Sequence, residues 1–215
     1  MSPVDDTDRL IHSLALEAGT GRDRTAFRFE RRLLLVVVLA LVVAVALVFL
    51  LFGVSPELMA TVRSAPFHHK LASTLVLAGG GFLLVREAAR PGGRGLTLVA
   101  LVPGLALLGL GGVTDVSDLP VMGGSGVSVP ICVGAIIVVS LPALALIVGA
   151  LRTGAATRPT LAGATAGLLA GALGAAAYAL ACKNDGGLFV AAWYSTSILI
   201  VAGLGALVGR RALAW

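Results

Sequence analysis

Residues Leu33-Leu-Leu-Val-Val-Val-Leu-Ala-Leu-Val-Val-Ala-Val-Ala-Leu-Val-Phe-Leu-Leu-Phe52 run without a charge, a Gly or a Pro. A bilayer's hydrocarbon core is about 30 Å thick and takes roughly 20 apolar residues of helix to cross. The stretch therefore reads as a membrane span. The 32 residues before it are too long for the charged start of a secretory signal, and its apolar run exceeds the roughly 7–15 such signals use. Phe52-Gly-Val-Ser-Pro56 reads as a helix stop and turn, so the span is expected to be retained as an anchor. Five further apolar stretches follow: Phe67–Val85, Gly95–Gly112, Val127–Leu151, Thr160–Ala181 and Leu188–Val208. None holds Asp, Glu or Arg away from its ends, and Lys70 sits in the first turn of the second. The expected fold is all-α, an integral membrane six-helix bundle over residues 33–215 behind a tail of residues 1–32.

The charges between the stretches alternate. Six Arg lie in the tail, three in the second connection, two in the fourth (Arg152, Arg158) and two at the C-terminus (Arg210, Arg211). That places 13 of the 16 basic residues on one side and leaves Arg63, Lys70 and Lys183 on the other. Basic loops stay cytoplasmic, so the expected orientation is N-in and C-in, multi-pass, in a bacterial inner membrane. With 58% hydrophobic residues and short connections, no room remains for a water-soluble catalytic domain. The net charge of +5 is accounted for by loop bias, so no direct nucleic-acid contact is expected.

The spans themselves say little about chemistry. No H-E-x-x-H, G-x-S-x-G or phosphate-cradling loop occurs, and the reading is of a protein that is not an enzyme and holds no cofactor. Transport coupled to ions needs an intramembrane carboxylate or His, and none lies mid-span; a small transporter or permease subunit is the alternative reading. Gly163, Gly167 and Gly171 form a smooth stripe every four residues, matched by Gly203, Gly205 and Gly209. Both suggest close helix packing within the chain. Pro103 and Pro142 are expected to kink their helices, with Ser140 helping to satisfy a freed backbone group.

Two cysteines stand at one height. Measured from the turn joining the fourth and fifth spans, Cys132 and Cys182 differ in depth by about 4.5 Å at 1.5 Å per residue. Antiparallel neighbours at matched depth could form a disulfide, share a soft or borderline metal ion, or be two small apolar fillers. A transient metal ion at Cys132 and Cys182 is thus one expectation. His68 and His69 begin the second span at the same face and are weaker additional ligands.

The tail carries Thr7-Asp8 as an N-cap ahead of Arg9–Ala18. Leu10, Ile11, Leu14 and Ala18 form one apolar stripe, and Gly19 and Gly21 are expected to end this short cytoplasmic amphipathic helix. A ten-residue helix is marginal alone and needs a surface. Asp5, Asp6 and Asp8 do not suit an anionic bilayer, so a protein partner taking the stripe into a groove is the better fit; the late Arg cluster suits the lipid bilayer.

The ordered set of features resembles a known family. Thr7-Asp-Arg-Leu-Ile-His-Ser-Leu-Ala15 precedes six spans; Cys132 and Ser140-Leu-Pro142 lie in the fourth, and Thr157-Arg-Pro159 precedes a Gly/Ala-rich fifth. Cys182 leads into Leu188-Phe-Val-Ala-Ala-Trp-Tyr194, and Leu204-Gly-Ala-Leu-Val-Gly-Arg-Arg211 closes the chain. Together these resemble the NrsF-type membrane anti-sigma factors, negative regulators of sigma F. The resemblance implies transcription regulation in a stress response, with an extracytoplasmic-function sigma factor as partner. It further implies a sigma-binding helix at Leu10, Ile11, Leu14 and Ala18. Cys132 and Cys182 would then be a periplasm-facing pair that senses heavy metals or oxidants. The segment Gly19–Arg28 lacks the Pro-rich stretch expected between helix and first span.

Overall fold

The computed structural model describes residues 3–53, 62–90, 96–115, 117, 119–123, 129–154 and 157–213, with side chains for all of these except 3–6, 14–27 and 96–97. Among them there are helices and no strand. In chain order these are α1 (Pro3–Phe52), α2 (Ala65–Ala88), a 3₁₀ segment (Leu96–Leu101) running into α3 (Val102–Val113), α4 (Val129–Leu151), α5 (Pro159–Tyr178) and α6 (Gly187–Ala212). Five helices are long and apolar enough to cross a membrane; the apolar helix Leu98–Val113 is shorter.

Proline places several of the starts. Pro66, Pro103 and Pro159 sit in first helical turns, where a missing N–H removes no helical bond. Pro103 therefore begins α3 rather than kinking a longer helix. At Pro142, inside α4, the Val138 carbonyl loses its donor. The Ser140 hydroxyl does not replace it, for it donates to the Ile136 carbonyl at 2.6 Å. Helix α1 ends as expected at Gly53, whose φ of 72° is the left-handed conformation that glycine adopts without strain.

The start of the chain departs from expectation. Helix α1 begins at Pro3, ahead of Thr7, and passes through Gly19 and Gly21 to Phe52 as one helix of 50 residues. Glycine in a helix interior costs only about 1 kcal/mol relative to alanine, too little to break a helix continued on both sides by good formers. At about 1.5 Å per residue, α1 is roughly 75 Å long. Its far half turns Leu33, Ala40, Ala44 and Val48 inward, all fully buried.

Helix α5 forms the centre. Nearly every residue from Ala162 to Tyr178 is buried, with α1, α2, α4 and α6 packed around it. The closest approach is to α6, where glycine stripes meet backbone to backbone. A Cβ on Gly163 would come within 2.2 Å of the Gly205 carbonyl oxygen, and one on Gly167 within 2.3 Å of the Val201 oxygen. Gly209 lies equally tight against Gly163, whereas Gly203 faces open space. The expected intrachain packing is thus present, without Gly203 taking part.

Candidate functional site

Cys132 lies in the first turn of α4, and Cys182 follows α5 by four residues, its N–H bonded to the Tyr178 carbonyl at 3.0 Å. Both thiols are free and buried, at 0% and 3% exposure. The structure brings them together, close enough for each side chain to bear on the other, and the Cys182 thiol donates to the Asn184 carbonyl at 3.7 Å. The Cys132 thiol and, beyond it, the Lys70 ammonium hold the Cys182 thiol below the ordinary cysteine range against the effect of burial. A depressed thiol is a better nucleophile and metal ligand.

A phenol closes the pair from α6. Residues Val190–Tyr194 form a π turn, a widened turn that often marks a functional position. Tyr194 is fully buried on the Cys182 side, its hydroxyl without a hydrogen-bond partner among the described residues. The neighbouring Trp193 points the other way and donates to the Val121 carbonyl at 2.7 Å.

The cationic member is Lys70, which sequence reasoning treated as a span-end exception. Its side chain is buried at 1% exposure. The ammonium donates to the Cys182 carbonyl at 3.1 Å, the Asn184 carbonyl at 3.5 Å and the Asp185 carboxylate at 2.5 Å. A buried ammonium needs such partners because desolvation is expensive. The local signal was present, a lone Lys within an apolar run, but its partners lie more than 100 residues away.

Lys70 and Asp185 also line a cavity of about 390 Å³, together with His69, Leu108, Asp115 and Val190. Asp115 accepts from the Leu188 N–H at 2.8 Å and from the Ser117 N–H at 3.0 Å. It thereby supplies the cap that Gly186 cannot give α6. These bonds, the Leu188 N–H foremost, pull its carboxyl down to about 2.

His68 and His69 do not join the thiols. His68 Nδ1 lies 2.7 Å from the Ser64 carbonyl and His69 Nε2 lies 2.9 Å from the Leu107 carbonyl. Among the described residues no group of three or more His, Cys, Asp or Glu could hold a metal. The cysteine site thus offers two sulfurs and a phenol. In the tail, Leu10 and Ile11 are 58% and 59% exposed; the Leu14 and Ala18 side chains lie outside the described ones.

Residues 18–215 match the family described as "Negative regulator of sigma F". This chain is a member of the NrsF family. It is 36% identical to the anti-sigma-F factor NrsF of Caulobacter vibrioides, over 97% of this chain and 99% of that protein. It is 31% identical to the probable anti-sigma-F factor NrsF of Azospira oryzae, again over 97% and 99%. No solved structure matches the chain.

Proposed function

We propose that this protein is an inner-membrane anti-sigma factor that holds an extracytoplasmic-function sigma factor through residues 1–32 and releases it when Cys132 and Cys182 react. The observation that carries the reading is family membership across nearly the whole chain. The juxtaposed thiols, Cys132 and Cys182, supply the chemistry. A divalent thiophilic ion displaces two protons and forms two metal–sulfur bonds. Alternatively, a two-electron oxidant takes the electron pair as two protons leave and one S–S bond forms.

The membrane domain, residues 33–215, crosses six times with both termini cytoplasmic. The short third apolar segment supports this count. Six residues of 3₁₀ helix at about 2.0 Å rise, followed by the twelve of α3 at about 1.5 Å, extend roughly 30 Å, matching the bilayer core. Pairing with Asp185 neutralises Lys70, leaving Arg63 and Lys183 as the other basic residues on the outer side. The exposed Leu10 and Ile11 at the far end of α1 suit a partner's groove.

The reading is tested by fractionation. An extracytoplasmic-function sigma factor co-expressed with the full chain should sediment with membranes and become soluble after treatment with the dithiol reagent phenylarsine oxide. Reporter fusions should place residues 1–32 and Arg210 inside. A sigma factor soluble throughout, or a periplasmic N-terminus, ends the reading.

A further inference from the structure

The reading above leaves open how an event at the thiols reaches the tail helix. Cys132 lies at one end of the bundle and Glu30 near the other, and the helix linking these ends through charged contacts is α2. At its start, Lys70 is buried and grips the Cys182–Asp185 segment through two carbonyl oxygens and the Asp185 carboxylate. At its far end, Arg86 Nε lies 2.8 Å from Glu30 Oε1, and Arg90, just past the helix, lies 2.5 Å from the same oxygen. Glu30 belongs to α1, three residues before the buried Leu33. Sixteen residues of helix separate Lys70 from Arg86, about 24 Å of nearly rigid rod.

We infer that α2 is the element that couples the cysteine pair to the tail helix, with Lys70 and Glu30 as positioning residues at its two ends. This rests on the proposed role of Cys132 and Cys182 and deepens it. The physics is that of a bistable grip. A disulfide draws its sulfurs to about 2.05 Å, and a bridging metal or arsenic fixes both on one atom. Cys132 is held in α4 whereas Cys182 lies outside regular helix, so the Cys182 segment moves with its carbonyl. A buried ammonium cannot be left without acceptors except at large cost. Lys70 therefore follows the loop or gives up its site, and α2 shifts in either case. At the opposite end the carboxylate of Glu30 is shared between two guanidinium groups. A shift of α2 then pulls on α1 just where its buried face begins.

A competing route exists through direct packing, because α1 also lies along α4, which carries Cys132. The experiment separates the two. Membrane vesicles holding the full chain with its bound sigma factor are treated with phenylarsine oxide. The arsenic forms one bond to each sulfur, and its oxygen leaves as water with the hydrogen of each thiol. Thiol capping is read by protection from maleimide after denaturation, and sigma release by sedimentation. Glu30→Lys should leave capping unchanged and reduce the reagent's effect on release by about fivefold or more. Lys70→Met, which also removes the charge beside Cys182 and slows capping, should show the same reduction when compared at equal extent of capping. Glu30→Lys combined with Arg86→Glu and Arg90→Glu reverses all three charges and should restore the response to within about twofold of wild type. If Lys70→Met fails to accumulate, the reversal at the half-buried Glu30 end carries the test alone. Normal release from both single variants, or an impaired Glu30→Lys that the charge reversal leaves unrescued, overturns the inference. A wild-type chain whose capped thiols still retain sigma instead defeats the sensing role of the cysteines, and the coupling with it.

Discussion

The Lys70 ammonium lies 3.1 Å from the Cys182 carbonyl oxygen, although 112 residues separate them. An apolar helix thus carries a buried cation whose acceptors all belong to the segment holding the second thiol. The geometry makes the ion pair and the loop one unit, and its parts should respond to substitution together.

Asp185→Ala removes the only charged partner of Lys70 among the described residues. Because Asp185 is itself partly exposed, at 23%, the loss should stay at or below about 3 kcal/mol. Lys70→Met combined with Asp185→Asn should recover part of it, since replacing both members leaves no uncompensated charge. Thermal denaturation in detergent reads the cycle; a double variant no more stable than Asp185→Ala would contradict this account.

Cys132→Ser, Cys182→Ser and the double variant should lose the response to thiophilic metals equally, at similar protein levels. Two sulfurs are needed to bridge or chelate, so the losses are non-additive. Simple addition of the two defects, in a sigma-dependent reporter assay, would return both residues to the role of small core side chains.

In the tail, Leu10→Asp/Leu14→Asp places charge where each buried Leu contributes about 1.5–3 kcal/mol. Sigma binding should be lost and target genes expressed constitutively, with membrane insertion intact. Repression at the wild-type level would show that another face binds.

The α5–α6 contact should tolerate no added carbon. Gly167→Ala puts a methyl within 2.3 Å of a backbone oxygen, and the resulting shift should cost about 1–3 kcal/mol. Gly203→Ala, where nothing lies within 4 Å, serves as the control and should be neutral or slightly stabilising. Equal melting temperatures for the two would remove the backbone contact from the description.

Asp115 gives a pH signature. Its carboxyl lies at about 2 in the folded chain against an ordinary 3.8. The stabilisation it gives is therefore present above 3.8 and fades as pH falls towards 2. Wild type should lose more stability than Asp115→Asn between pH 5 and 2.5. Parallel melting curves for the two proteins would mean that the Leu188 cap contributes nothing.

Most of the helical layout was legible because long apolar helices are written locally, as runs of about 20 apolar residues. The glycine stripes were legible for the same reason: a four-residue repeat needs no partner to be seen. The paired cysteines came from counting rise along two helices from a shared turn. What escaped was non-local or energetically subtle. Lys70 and Asp185 meet across the fold, and nothing near either residue encodes the other. Gly19 and Gly21 weaken a helix without ending it, so propensity alone misplaced the boundary. The 3₁₀ segment and the π turn at Val190–Tyr194 answer packing demands, which no hydrophobic period records.

Because α1 is unbroken from Pro3 to Phe52, the tail and the span share one angular phase. Each residue turns the helix by about 100°, so inserting two residues between Arg22 and Phe29 would swing Leu10 and Ile11 by roughly 200° relative to the bundle. Seven added residues, close to two full turns, would bring them back to nearly the same heading about 10 Å farther out. The length of this segment thus sets both a compass direction and a reach, making the tail's aim a property of residue count as much as of residue identity.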